Sequence, residues 1–188
     1  MIFYLLLIYI YASIPFSLLV GFMYKKDIRK EGSGNIGGSN LGRTCGNLAF
    51  VIGFILDMSK GALAVIISSY AGINPLLLLV LALIGHTFSP FIKFKGGKGV
   101  ATAFGFVVAY TPIGALIAIS FFLVILKVTK YVSLSSILAI LVYFVYSLVT
   151  QNIYYALFIL LLWVFVTYLH RTNLVKIKSG TESKISWM

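Results

Sequence analysis

Seven apolar stretches separated by short polar ones divide the chain: Ile2–Met23, Asn47–Ser69, Pro75–Ile92, Gly99–Tyr110, Pro112–Leu126, Tyr131–Thr150 and Ile153–Leu169. A helix needs about 20 apolar residues to cross a bilayer. Most of these stretches are close to that length, and the fourth and fifth are short. Within lipid every backbone polar group must be satisfied inside the segment itself, so the pattern predicts an all-α polytopic membrane protein. The competing reading merges the fourth and fifth stretches through Thr111-Pro112 into one long kinked helix. The longest polar intervals are Tyr24–Gly46 and the tail after Leu169.

Charge decides between seven segments and six. With seven spans and the N-terminus outside, the inner loops collect Lys25, Lys26, Arg29, Lys30 and Arg43, then Lys93, Lys95 and Lys98, then Lys127 and Lys130, then Arg171, Lys176, Lys178 and Lys184. That is every basic residue of the fifteen except Lys60. The outer turns near Tyr70–Asn74, Thr111 and Gln151-Asn152 carry none. Merging two segments would send Lys127, Lys130 and the basic tail outside, against the positive-inside tendency. The expected fold is therefore seven transmembrane helices, two of them short, with the N-terminus outside and the C-terminus cytoplasmic. It forms one catalytic domain over residues 1–188, with loops 31–43, 85–102 and 170–182 on the cytoplasmic side.

Composition agrees and excludes other classes. The chain has 188 residues, 61% hydrophobic and 10% charged, more apolar surface than a water-soluble domain of this size can bury. The formal charge of +11 is dispersed over separate loops, which argues against nucleic acid and for membrane topology and anionic ligands. Cys45 is the single cysteine, so neither an internal disulfide nor a Cys/His metal site is expected. No cofactor signature is present. The opening MIFYLLLIYIYA has no basic leader or small-residue cleavage site and reads as a retained helix. Trp187 suits an interfacial anchor.

The stretch Gly85–Thr102, GHTFSPFIKFKGGKGVAT, interrupts two apolar runs with a histidine, three lysines and four glycines. Gly96, Gly97 and Gly99 let backbone approach a ligand closely, and Lys98 adds a mobile cation, a combination suited to phosphate. A tight cytoplasmic turn with a positive-inside lysine is the alternative. A Walker A loop does not fit, because Gly99 follows Lys98 and Ile92 occupies the place of the first glycine. The His-x4-Asp pair of common glycerolipid acyltransferases is also absent, since position 91 is Phe. If the fourth segment reaches the outer face at Tyr110, its dozen residues rise only ~18 Å. The Gly96–Gly99 loop then lies below the inner membrane surface, where irregular backbone is tolerated only beside protein or a wet cavity.

In the first loop, GSGNIGGSNLGR satisfies GxGxxG literally, with Asp57 some twenty residues on. No strand precedes it, and Asp57 lies in an apolar helix, so a dinucleotide fold is rejected. Local chemistry remains. Ser33, Asn35 and Asn40 bring donors, and Arg43 brings a planar fork for phosphate. A flexible linker is the bland alternative. Asp57 and Lys60, three apart on one helical face, form either a structural ion pair or a cavity lysine held by its carboxylate. Ser133 and Ser136 share a face near the cytoplasmic side. Back-bonding to the preceding turn competes with ligand contact for them. His170 and Asn173 are three apart where the last apolar stretch ends.

Three of these stretches together resemble one family. GSGNIGGSNLGR resembles its SGNxGxxNxxR motif, GHTFSPFIKFKGGKGVAT its GHxxPxFxxFxGGKGVAT motif, and HRTNLVKIKSGTE its HxxNxxRLxxGxE motif. Asp57–Gly61 resembles its DxxKG element. The family is the bacterial integral-membrane glycerol-3-phosphate acyltransferases of the PlsY type. The resemblance runs from end to end of the chain. Lys176 departs from the usual Arg, and Gly38-Ser39 from the usual Ala-Thr. The resemblance implies acyl transfer from acyl phosphate to the 1-hydroxyl of glycerol 3-phosphate, giving lysophosphatidic acid, in the bacterial inner membrane with the site facing the cytoplasm. Partners would be these two substrates and membrane lipid. The resemblance implies Ser33, Asn35, Asn40, Arg43, Gly97, Lys98 and Gly99 as site residues, with His86, His170 and Asn173. On local chemistry Lys60, Gly96 and Ser136 are added to the phosphate-binding set. His170 and Asn173, with His86 as helper, form the catalytic set. No Ser or Cys in these motifs has a base beside it, so direct attack without an acyl-enzyme is expected. A transporter of a phosphorylated solute is the rival reading, but no internal repeat supports it.

Overall fold

The computed structural model describes residues 1–185, and among these no strand occurs. Trp187 lies outside the described residues. The helices are α1 (Ile2–Ser13), α2 (Phe16–Met23), α3 (Gly38–Cys45), α4 (Asn47–Ala71), α5 (Pro75–Thr87), α6 (Val100–Tyr110), α7 (Pro112–Thr129), α8 (Val132–Thr150), α9 (Ile153–Leu169) and α10 (Arg171–Lys178). All seven apolar stretches are helical. Among the described residues five spans are long and apolar enough to cross a membrane by themselves: Ile2–Met23, Asn47–Ala71, Pro75–Ile92, Pro112–Thr129 and Val132–Thr150. The pair α9 and α10 passes that test jointly, with a bend of 59° between them, while α6 is shorter. Length alone therefore supports five or six spans.

Local chemistry explains the departures from the simple pattern. The first apolar stretch is broken at Ile14-Pro15. Proline restricts the residue before it to extended backbone, and Ile14 sits at φ −62°, ψ 121°. The seventh ends at a bend, with His170 closing α9 and opening α10. The fifth continues to Thr129, so Lys127 stands in its last turn, where a cation complements the helix C-terminus. The polar first loop contains α3, which composition concealed. Asn74 and Asn152 cap α5 and α9, their side chains accepting from Leu76 N and Tyr155 N at 2.8 and 2.9 Å.

The chain forms two compact units, Met1–Tyr110 and Thr111 onward. In the first, α4 lies against α2, α3, α5 and α6. Its approach to α6 depends on two glycines. A Cβ on Gly61 would overlap the Thr102 carbonyl and Phe106 N, and one on Gly105 would overlap the Met58 carbonyl. Backbones that meet this closely gain dispersion contacts, the main cohesive force between helices in lipid. A separate apolar cluster of Leu18, Val20, Ile28, Ile36, Leu41, Ala49 and Ile92 pins the first loop onto the helices. In the second unit, α7 meets α8 at Gly114, beside Tyr143 and Tyr146. The hydroxyls of Thr111, Tyr143 and Tyr155 form a chain with links of 2.6 Å each. The Trp163 indole donates to the Ile137 carbonyl at 3.1 Å.

Candidate active site

The first motif is ordered from within by Asn40. Its amide donates to the Ile28 and Glu31 carbonyls at 2.8 and 3.0 Å, and its oxygen accepts from Ser33 N at 2.8 Å. Asn40 is 1% exposed, and its bond to the Ile28 carbonyl is shielded from water. Gly32 makes the clamp possible. It sits at φ +58°, and a Cβ there would overlap Asn40 Oδ1. Asn35 accepts from Gly37 N at 2.9 Å and closes a local turn. The two asparagines thus shape the loop, while Ser33 and Arg43 stand on its exposed side, Arg43 in the last turn of α3. Next to it the Arg29 guanidinium grips both oxygens of Asp27 at 2.8 Å, and this bond holds the Asp27 carboxyl at about 2, below its usual range.

The second motif leaves α5 at Thr87, turns through Pro90–Ile92 and returns to start α6. Two non-glycine residues, Lys93 and Phe94, hold φ of +55° and +60°. Phe94 N donates to the Ser89 carbonyl at 2.9 Å, and Ser89 Oγ donates to the Ser13 carbonyl at 2.5 Å. Gly96 N donates to the Thr87 carbonyl at 2.8 Å and Gly97 N to the His86 carbonyl at 3.2 Å. Those two amides, expected as part of an open cradle, tie the loop back to α5 instead. Gly99 holds φ +77° and delivers the chain into α6. Lys98 is half-buried between buried Gly97 and Gly99. Lys98 stands beside the first turn of α6, whose opening N–H groups have no partner within the helix.

Beneath that loop lies a buried polar array. Lys60 Nζ is 2.8 Å from Asp57 Oδ1 and 3.2 Å from His86 Nδ1. Ser17 Oγ donates to Asp57 Oδ2 at 2.7 Å, and Thr102 Oγ1 donates to the Asp57 backbone carbonyl at 3.1 Å. The Phe16 ring lies 5.1 Å from Nζ, a cation–π distance. Lys60 and Asp57 are 1% and 2% exposed. Of the two readings offered for this pair, the geometry is that of the structural ion pair: Lys60 points into protein.

The third motif belongs to the second unit. His170, 5% exposed, has Nδ1 2.8 Å from the Val166 carbonyl. A carbonyl only accepts, so Nδ1 carries the hydrogen of this bond. Asn173 Nδ2 donates to Glu182 Oε1 at 2.7 Å, and Ser133 Oγ donates to the same oxygen at 3.1 Å. Ser136 bonds back to the Val132 carbonyl at 2.8 Å. Of the two serines, then, Ser133 joins the motif and Ser136 takes the intrahelical bond. Ile185 N donates to the Lys130 carbonyl at 3.0 Å, fastening the tail. Among the described residues no cluster of three potential metal-ligating side chains occurs.

Sequence reasoning passed over Ser17, Thr102 and Glu182 as positioning groups. Ser17 had a signal, a small hydroxyl within an apolar span, which lipid tolerates only when it finds a partner. Glu182 had one as well, being one of only four carboxylates in the chain.

Comparison with known proteins bears on this arrangement over nearly its whole length. The family described as glycerol-3-phosphate acyltransferase matches residues 2–180. Glycerol-3-phosphate acyltransferase 2 of Bacillus anthracis is 47% identical over 96% of this chain and 97% of its own. The enzymes of Geobacillus kaustophilus and Bacillus subtilis are 44% and 40% identical, over 97% and 98% of this chain and 95% and 97% of theirs. The crystal structure of PlsY (YgiH), an integral membrane glycerol 3-phosphate acyltransferase, in its glycerol 3-phosphate form superposes with a TM-score of 0.91 at 33% identity, covering 98% of this chain and 95% of that one. Its lysophosphatidic acid form gives 0.88 at 32%, with the same coverage. Fold, motifs and relatives together define an integral membrane acyltransferase. The chain belongs to the glycerol-3-phosphate acyltransferase family, of the PlsY type.

Proposed function

We propose that this acyltransferase moves a fatty acyl group from acyl phosphate to the 1-hydroxyl of glycerol 3-phosphate, releasing lysophosphatidic acid and inorganic phosphate. The observation that carries the reading is the pairing of family membership over residues 2–180 with an intact first motif, Arg43 included, and a second motif that departs only at Ser89 and keeps Lys98. The hydroxyl oxygen attacks the acyl carbonyl carbon directly, the bond from that carbon to the phosphate oxygen breaks, and the hydroxyl proton ends on the departing phosphate. Arg43, Ser33, Lys98 and the α6 N-terminus bind phosphate groups. They stabilise charge as it grows on the leaving group. Gly96, Gly97 and Gly99 shape the loop that carries Lys98, and Asn35 and Asn40 shape the loop that carries Ser33 and Arg43. His170 and Asn173 orient the acceptor, with Ser133 and Glu182 behind Asn173.

We further propose seven spans, the N-terminus outside, the C-terminus and all three motif loops cytoplasmic, in the bacterial inner membrane, the whole chain acting as one catalytic domain. The distribution of basic residues supports this, because both aqueous substrates are cytoplasmic phosphates while the acyl chains belong in lipid. The test is a purified, detergent-solubilised enzyme given glycerol 3-phosphate with either acyl phosphate or acyl-CoA. Lysophosphatidic acid and phosphate should form with acyl phosphate and hardly at all with the thioester, which lacks the phosphate that receives the proton. Efficient turnover of acyl-CoA, or an acyl group trapped on Ser or Cys45, would overturn the mechanism.

A further inference from the structure

The first of the chain's two histidines, His86, sits in the last turn of α5 directly under the glycine loop. A Cβ on Gly97 would overlap His86 Nε2, so the ring and the Gly97 backbone are in direct contact only because position 97 is glycine. The other ring nitrogen, Nδ1, is 3.2 Å from Lys60 Nζ. Lys60 is held as an ammonium by its surroundings: the Asp57 carboxylate at 2.8 Å and the face of Phe16 at 5.1 Å. Asp57 is committed in turn, with Ser17 donating to its second oxygen at 2.7 Å. An ammonium has hydrogens to give and no lone pair, so Nδ1 must be the acceptor. Asp57 Oδ1 lies 3.6 Å from Nδ1, beyond hydrogen-bonding reach, and does not compete for it.

We infer that Ser17, Asp57 and Lys60 form a buried relay that fixes His86 as the neutral Nε2–H tautomer, so that His86 presents an N–H on the side of the glycine loop and never acts as the general base. The ring nitrogen turned toward Gly97 already carries its hydrogen, and the other has its lone pair engaged by Lys60. Neither can take the acceptor hydroxyl's proton. Ser17, Asp57 and Lys60 are accordingly positioning residues that act through His86. Two further ties lock the loop to the end of α5 that carries this ring: Gly97 N on the His86 carbonyl and Gly96 N on the Thr87 carbonyl. The relay reaches α6 as well, through Thr102 on the Asp57 backbone carbonyl. One buried array thereby sets α5, the loop and the start of α6, which between them carry Lys98. The contrast with His170 is chemical, for there Nδ1 donates to a carbonyl. The functional part of this inference rests on the acyl transfer proposed above, while the tautomer does not.

Two measurements separate them. In protein labelled with 15N-histidine, the two imidazoles are assigned by difference from His86→Gln. His86 should show a protonated Nε2 and an unprotonated Nδ1 across pH 6–8, with no turnover needed. Lys60→Met, close in volume but without the ammonium, should release that lock and give a mixture of tautomers. In steady-state kinetics His86→Gln, whose amide keeps an N–H donor near Nε2 but cannot act as base, should retain activity within about tenfold and keep the wild-type pH profile. Loss of a general base would instead cost about 10²–10⁴-fold and remove a limb of that profile. Asp57→Asn and Lys60→Met should raise KM for acyl phosphate more than they lower kcat, with kcat/KM falling by up to about 100-fold as the loop shifts. A doubly protonated or Nδ1–H His86 in the wild-type spectrum would overturn the relay even if both variants failed to fold. A His86→Gln enzyme without its acidic limb would overturn the donor role. Intact spectra with no acyl-phosphate turnover would instead count against the proposed reaction.

Discussion

At the scale of single residues, the two motif loops of the first unit separate the groups that hold from the groups that bind. Asn40, and Lys60 on α4 beneath, are nearly inaccessible and hold, while Arg43 and Lys98 are the cations proposed to bind phosphate. Arg43→Ala and Lys98→Ala each remove a charge-assisted contact worth roughly 1.5–3 kcal/mol, a loss of about 10- to 150-fold in kcat/KM. Expression and thermal unfolding should stay close to wild type, because neither side chain is in the core. Arg43→Lys should recover little, since an ammonium cannot reproduce the planar fork. Asn40→Ala should behave differently and unfold at lower temperature, for it leaves the Ile28 and Glu31 carbonyls and Ser33 N without their bonds. In the second unit, Glu182→Ala should raise KM for glycerol 3-phosphate several-fold by releasing Asn173, and Glu182→Gln should restore much of it, because its carbonyl oxygen still accepts.

At the scale of elements, the cohesion of the first unit is concentrated where α4 and α6 touch through glycine. Gly61→Leu or Gly105→Leu has no small adjustment available, as the colliding atoms belong to the opposite backbone. Overpacking of this kind costs about 1–3 kcal/mol or more, and here it also moves the start of α6 and Lys98. Both variants should show a lowered unfolding temperature together with lost activity. Gly72→Ala, at a helix end with open space around it but φ +63°, should lose only a little stability and leave kcat unchanged. A thermal-shift assay alongside kinetics distinguishes the two behaviours.

At the scale of the whole chain, the prediction is topological. In a Cys45-free background, a membrane-impermeant thiol reagent applied from outside should label a cysteine introduced at position 151 and not one at position 178. Labelling of 178 from outside would put the motif tail on the wrong side and overturn the proposed orientation. The arrangement resolves a physical conflict. α6 has 11 residues and rises only ~17 Å, too little for the hydrocarbon core. In the proposed seven-span arrangement polar loop backbone completes the distance, and the Gly96 and Gly97 amides bond to α5 carbonyls.

The sequence by itself determined the helical, membrane-embedded class, because lipid leaves little choice once long apolar runs appear. It also supplied the three motifs and their family, since Gly, Lys, Arg and His at fixed spacings are read directly from the chain. It did not determine which polar residues face a ligand. Lys60 and Arg43 are both cations near glycines. Only packing showed that one ends on Asp57 and His86 inside the first unit and the other on the open side of α3. Nor did it reveal that Ser17, forty residues before Asp57, would meet it, or that His86 would lie against Lys60. Those outcomes depend on which atoms lie within about 3 Å across different helices. That distance is set by how the glycines let the helices approach, a property of the assembled backbone that has no local trace in the order of residues.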